Sequence, residues 1–242
     1  MEVATEVVAM AVAAAAMVAA VEVSVDGGGL GITATAVGSR RYRVTFLGPG
    51  GHSFGNFGIA NPVHAVGRLV AAVASFEVPE EPSTTFSVGR IGGGTSVNAI
   101  AAEAWIEVDL RSVDPVALSA LDGRFHEAVT GALDDERARW EGDDGVLEVS
   151  ISLVGDRPAG ATPVDSPIVE MAIGVTRAVG AEPRLDRGST DANLPMSLGI
   201  PAITIGGGGR GMGSHSLGEM FDSRNSSQGT ERAVLLAIAL AE

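Results

Sequence analysis

Cysteine and lysine are both absent from this sequence, and each absence removes chemistry. Without cysteine there is no disulfide, no thiolate metal site and no thiol nucleophile. Without lysine no P-loop cation can reach a phosphate and no Schiff base can form. Aromatic residues make up only 4% of the chain, so a core has to be built from Ala, Val, Ile and Leu. All 16 basic residues are arginine, against 30 acidic ones, and the formal net charge is −14. So acidic a chain repels phosphate backbones, which argues against nucleic acid as a partner. Residues 7–21 form an unbroken apolar run, but it falls short of the roughly 20 residues a membrane helix needs. Glu2 and Glu6 stand where a signal peptide would carry basic residues. The run reads as a buried helix or as a start that is not native sequence. A cytoplasmic location without membrane contact fits this composition.

What is present, 242 residues with 45% hydrophobic, suffices for one large domain or two small ones. Residues 21–25 read as a strand closed by Asp26 and three glycines. In residues 41–46, Tyr42, Val44 and Phe46 alternate with Arg41, Arg43 and Thr45, the pattern of a half-exposed strand. Asn61-Pro62 and Asp114-Pro115 each pair an N-cap with a proline at the first helical position. Val63, Val66, Leu69, Val70 and Val73 follow the first at helical spacing, and Leu118, Leu121, Phe125, Val129 and Leu133 follow the second. Residues 84–88, 101–110 and 147–153 read as further strands, so residues 41–154 run β-α-β-β-α-β, the ferredoxin-like pattern. Beyond it, Ser166-Pro167 opens a helix that ends near Gly180. Residues 201–205 form an apolar strand suited to a buried parallel sheet, and Thr230 caps a final helix. The organisation is α/β: a ferredoxin-like unit at 41–154 inserted between sheet-domain pieces at 1–40 and 155–242.

Several motifs have competing readings. Gly51-His52-Ser53-Phe54-Gly55 fits the G-x-S-x-G nucleophile elbow, with Asp191 and His215 as further triad members. An elbow serine needs a buried central strand, however, and the strand before Ser53 is half polar; a glycine-rich turn explains the same residues. Gly206-x-Gly208-x-x-Gly211 matches a dinucleotide fingerprint, but no apolar helix pattern follows it. These glycines read instead as a turn that presents His215 beyond a strand end, where open α/β sheets bind ligands. His64 and His126 fall on helices and read as structural or surface residues. Glu80 and Glu81 lie between prolines in a turn and read as solvated.

Four segments, taken in order, resemble one family. They are Gly48-Pro49-Gly50-Gly51-His52-Ser53; Gly92 through Asn98 to Ile100 with Asp109-Leu110-Arg111-Ser112; Gly188-Ser189-Thr190-Asp191-Ala192-Asn193; and Gly199-Ile200-Pro201-Ala202-Ile203-Thr204 running on to Gly213-Ser214-His215-Ser216. They are similar to the zinc-dependent metallopeptidases that include aminoacylase, carboxypeptidase G, acetylornithine deacetylase, succinyl-diaminopimelate desuccinylase and the tripeptidases. The resemblance runs from about Val23 to the C-terminus. It implies that the ferredoxin-like unit is a lid and homodimerisation domain. It implies that His52 and Asn98 reach the partner subunit's active site and hold the substrate carbonyl. Arg111 would bind a substrate carboxylate, a task suited to a planar guanidinium. Ser189, Thr190, Asp191 and Asn193 would line the substrate site, and His215 would be the last metal ligand.

The implied chemistry is hydrolysis of a peptide or N-acyl amino acid amide by a pair of zinc ions, with manganese or cobalt as substitutes. The His-x-Asp ligand motif, the Glu-Glu pair and the other carboxylate ligand of the family's first half have no counterpart found in this sequence. The expectation is a truncated form with an incomplete metal site, inactive by itself. A non-catalytic dimerisation or interaction protein is the alternative, and a serine esterase built on Ser53 is the second alternative.

Overall fold

The computed structural model describes residues 21–140, 147–214 and 216–241; the apolar run at 7–20 and His215 lie outside them. The strands are β1 (Glu22–Val25), β2 (Ile32–Ala36), β3 (Gly38–Leu47), β4 (Gly51–His52), β5 (Thr84–Gly93), β6 (Ala99–Ile100), β7 (Glu103–Ser112), β8 (Glu148–Arg157), β9 (Gly160–Ala161), β10 (Leu185–Gly188), β11 (Ala202–Ile205), β12 (Arg210–Met212) and β13 (Met220–Asp222). The helices are α1 (Pro62–Ala74), α2 (Pro115–Ala138), α3 (Pro167–Ala178), α4 (Asn193–Ser197) and α5 (Ser226–Ala239). They fall into two units, Val37–Ala159 and the described parts of Met1–Ala36 with Gly160–Glu242.

In the first unit, alternation dictates the sheet. Tyr42, Val44 and Phe46 of β3 and Ala104, Ile106, Val108 and Leu110 of β7 are buried, while the residues between them face outward. The sheet order is β5-β7-β3-β8, with every pair antiparallel. With α1 and α2 packed on the inner face this is the ferredoxin-like arrangement. Both helix starts form as their side chains require: Asn61 accepts from the Val63 amide at 2.9 Å, and Asp114 accepts from the Ala117 amide at 2.7 Å. Such caps contribute about 1 kcal/mol each. Leu69, Phe125, Phe46, Ile106 and Leu110 are wholly buried, each stabilising by roughly 1.5–3 kcal/mol. Among the described residues, the carboxylate drawn into this core region is Glu136 on α2. It accepts from the Asn61 amide, Arg68 Nε and Trp140 Nε1, so its desolvation is offset. His126 stacks edge-on against Tyr42 and Phe125, and His64 is surface-exposed, 3.5 Å from Glu136.

The second unit has a mixed sheet. β11 is fully buried and pairs parallel with β1, as its apolar composition suggests, but antiparallel with β2. β2 in turn pairs parallel with β10 and antiparallel with β9. Ile32, Ile203 and Ile205 pack against Ile168, Val169 and Ala172 of α3 and Leu236 of α5. Gly180 adopts a left-handed φ of 78° just after α3, as a helix-ending glycine does. The final helix begins earlier than expected. Asn225, with φ 62°, precedes Ser226, and Thr230 lies inside α5 instead of capping it. The first turn of α5 is Ser-Ser-Gln-Gly, which carries no apolar residue and therefore no helical periodicity to read.

Two contacts fasten α5 to the glycine-rich segment after β11. Arg232 is wholly buried and donates to the carbonyls of Leu30, Gly31 and Gly206 and to Thr176 Oγ1. Burial pushes its guanidinium pKa down. Gly229 sits so close to Gly207 that a Cβ there would lie 2.1 Å from the Gly207 carbonyl carbon.

Candidate functional site

The pairing of β4 with β6 places His52 opposite Ala99, the residue after Asn98. The Ser53 amide donates to the Asn98 carbonyl at 2.9 Å, so the two lid residues predicted to act together are neighbours. His52 Nδ1 accepts from the amides of Phe54 and Gly55, each at 3.2 Å. A neutral imidazole with an accepting Nδ1 carries its proton on Nε2. The turn thus fixes His52 as an Nε2–H donor. Asn98 Oδ1 accepts from Ser96 Oγ at 2.5 Å, which leaves the carboxamide N–H2 as the group for a ligand. Both side chains are exposed.

Arg111 is not brought to them within one unit. It lies on β7 opposite Ser39 and Thr85, whereas the His52–Asn98 turn adjoins the Glu103 end of the same strand. Eight residues of strand separate the two, roughly 26 Å at 3.3 Å per residue. Arg111 Nε donates to Asp109 Oδ2 at 2.8 Å on the outward face of the sheet. On that face Arg43 lies 3.8 Å over the Trp105 ring. Burial works against the charge of Glu107 there, but hydrogen bonds from Arg43 and Arg90 hold its pKa below the ordinary carboxylate value.

In the other unit, residues 188–193 follow β10. The Thr190 amide donates to Asn193 Oδ1 at 2.8 Å, and Thr190 Oγ1 lies 2.7 Å from Thr204 Oγ1, which is 2.6 Å from Ser24 Oγ. Asn193 is buried and shapes this loop; Ser189 and Thr190 are half-buried and Asp191 is exposed. Burial, and secondarily the nearby Asp191, raises the pKa of Glu22. β10 runs antiparallel to β11, and the loop after it reaches back to Thr204, the third residue of β11. The glycines after β11 follow its C-terminal end, where Gly29 and Gly208 bridge. A cavity of about 660 Å³ opens there, lined by Gly29, Gly209, Arg210, Asp222, Arg224 and Gln228. Sequence reasoning passed over Asp26, whose amide donates to the Ile205 carbonyl at that same end. Its signal was an acidic residue at a strand end before three glycines. Among the described residues no three His, Asp or Glu side chains gather as a metal site. The described donors therefore do not make up the two-metal centre that the resemblance implies, and His215 lies outside them.

Ser53 has no nucleophile geometry. The strand before it is only two residues long, α1 begins at Pro62, and His52 Nδ1 is engaged by backbone amides. Fluorophosphonate labelling is expected to be absent, and stoichiometric modification of Ser53 would restore the esterase alternative.

Residues 35–136 match the family profile of the peptidase dimerisation domain. No curated protein sequence matches the chain. Solved structures with the same fold include a tripeptidase from Staphylococcus aureus, at 16% identity and TM-score 0.71 over 90% of this chain and 56% of that one. The aminopeptidase PepT from Bacillus cereus matches at 19% identity and TM-score 0.69, over 91% and 57%. A hydantoinase/carbamoylase family amidase from Burkholderia vietnamiensis matches at 18% and 0.65, over 91% and 53%. The chain spans a little over half the length of these structures. The class is thus an α/β protein with an inserted dimerisation unit. The likeness to these structures shows the fold, and residues 35–136 carry the match to the peptidase dimerisation domain. No described helix is long and apolar enough to cross a membrane.

Proposed function

We propose that this chain takes part in metal-dependent hydrolysis of peptide or N-acyl amino acid amide bonds, with the His52–Asn98 end of the lid binding the scissile carbonyl. The fixed tautomer of His52 beside Asn98 is the observation that carries this reading. An Nε2–H and a carboxamide N–H2 on adjoining backbone segments suit the needs of an oxyanion, and each such donor is typically worth about 3 kcal/mol in the transition state. Zinc, or manganese or cobalt in its place, would supply the activated water; His215 is the residue of this chain that its motif offers as a ligand. Arg111, Ser189, Thr190, Asp191 and Asn193 belong to the substrate side. The cysteine-free composition suits a cytoplasmic setting. The non-catalytic alternative is favoured by the short donor set, one motif histidine.

The test is a titration of the full chain with N-acetyl amino acids and dipeptides, followed by ¹H–¹⁵N spectra of the imidazoles and carboxamides. The His52 and Asn98 signals are expected to shift, and the response should disappear in His52→Ala. Ligand-independent spectra would support the interaction protein instead. With zinc, manganese or cobalt added, the chain by itself is expected to give no turnover. Metal-dependent hydrolysis lost in His215→Ala would overturn the view that its metal site is incomplete.

A homodimer follows from the same reading. A lone lid holds Arg111 and His52 at opposite ends of β7, an arrangement that suits a site shared between two copies. Among the described residues both outer strands, β5 and β8, have one unpaired edge, and Leu153 and Val154 of β8 are exposed. An edge of this kind is a template for strand pairing. Light scattering at micromolar concentration should give about twice the monomer mass; a monomer with a folded lid would refute the dimer.

A further inference from the structure

We propose that the lid carries an apolar pocket beside His52 and Asn98 that selects substrates with a bulky apolar or aromatic group next to the scissile carbonyl. The inference rests on the hydrolase reading and adds a substrate class to it. The pocket has a volume of about 280 Å³, and its walls include Phe57, Ile59, Val97, Ile100 and Trp140. Ser53 and Ala99 also line it. These are the residues immediately after His52 and Asn98, which border the cavity in sequence without lining it themselves.

Asn61, His64 and Ser53 stand among the apolar side chains of the lining, and the apolar part is preset. Phe57 and Trp140 meet edge to face at 5.4 Å. The Trp140 indole N–H is engaged by Glu136 at 3.2 Å, and Glu136 is wholly buried and held by Arg68 and the Asn61 amide. The ring is therefore oriented from behind and offers the pocket carbon surface. Among the described residues no Asp, Glu or Arg lines the cavity, and His64 supplies a titratable group. Phe57 is 77% exposed and Val97 fully so, apolar surface that an occupant would remove from water. A cavity of this size is at the small end for ligand sites and suits one leucine or phenylalanine side chain. Burying such a side chain corresponds to roughly a tenfold to hundredfold gain in affinity.

The experiment uses the full chain labelled with 5-fluorotryptophan. It gives two ¹⁹F signals, since Trp105 and Trp140 are the two tryptophans, and Trp105→Phe assigns them. N-acetylglycine, N-acetylleucine, N-acetylphenylalanine and benzyl alcohol are titrated in turn. The Trp140 signal should move, with N-acetylphenylalanine binding at least tenfold tighter than N-acetylglycine. Val97→Asp, a change at an exposed position that leaves the core intact, should abolish the difference. His52→Ala should weaken N-acetylphenylalanine and leave benzyl alcohol unchanged. If no ligand moves the Trp140 signal, or if protein concentration alone moves it, the pocket assignment falls. If benzyl alcohol and N-acetylphenylalanine bind alike and His52→Ala alters neither, the pocket is apolar but serves no carbonyl site, and the hydrolase reading falls instead.

Discussion

Arg232→Met should lower the stability of the chain by about 3 kcal/mol, read as a fall in the denaturant midpoint at unchanged slope. Methionine keeps most of the side-chain volume, so the loss isolates the hydrogen bonds. The Gly31 carbonyl also accepts from the Gly206 amide and keeps that partner. The carbonyls of Leu30 and Gly206 lose the guanidinium, and each buried acceptor left unsatisfied costs about 1–3 kcal/mol. A counter-effect exists, because the charge is buried without a carboxylate and its removal ends that desolvation. A neutral or stabilising Arg232→Met would mean that desolvation outweighs the carbonyl contacts. Hydrogen exchange should localise the change: amides of α5 and of the segment after β11 should lose protection first.

Gly229→Ala should be of similar size, about 3 kcal/mol, for a different reason. The added Cβ would fall 2.1 Å from the Gly207 carbonyl carbon and oxygen and 2.4 Å from the Gly208 amide nitrogen. All are backbone atoms, so no flexible side chain can swing aside, and either α5 or the glycine segment must shift. Overpacking of this kind commonly costs 1–3 kcal/mol. Gly131→Ala on α2 is the control. Nothing lies within 4 Å of a Cβ at that position, and helix propensity there favours alanine by up to about 1 kcal/mol. Opposite signs for the two substitutions would confirm that contact, and not glycine chemistry, sets the first. Equal signs would refute it.

The ferredoxin-like unit was legible because its signals are local and redundant. Tyr42, Val44 and Phe46 announce a strand by alternation, and Asn61-Pro62 and Asp114-Pro115 announce helices by cap chemistry. The sheet unit was less so. β2 and β10 are short, and Leu185–Gly188 includes Asp186 and Arg187, so neither length nor alternation marks it. The antiparallel pairing of β2 with β11 depends on partners more than 160 residues apart, which no window of sequence contains. Thr230 misled as a cap because the real first turn of α5 is held by backbone contact with Gly207 and Gly208 and not by an apolar stripe. At the site, the motifs singled out His52 and Asn98, whose backbone segments adjoin. They did not show that β10, which leads into the loop at 188–193, runs opposite to β11, since strand direction is invisible in a motif.

The way the middle unit joins the rest has a consequence for gene architecture. The chain leaves β2 at Ala36 and returns at Gly160, and these residues already face each other as antiparallel partners, as do Thr35 and Ala161. On the far side, Ser39 pairs with Arg157. Departure and return thus lie side by side on the host sheet, so the intervening segment behaves as a portable cassette. A short turn grafted between Ala36 and Gly160 would convert the pair into an ordinary hairpin with little added closure entropy. Acquisition, exchange or deletion of such a cassette requires no rethreading of the sheet that hosts it.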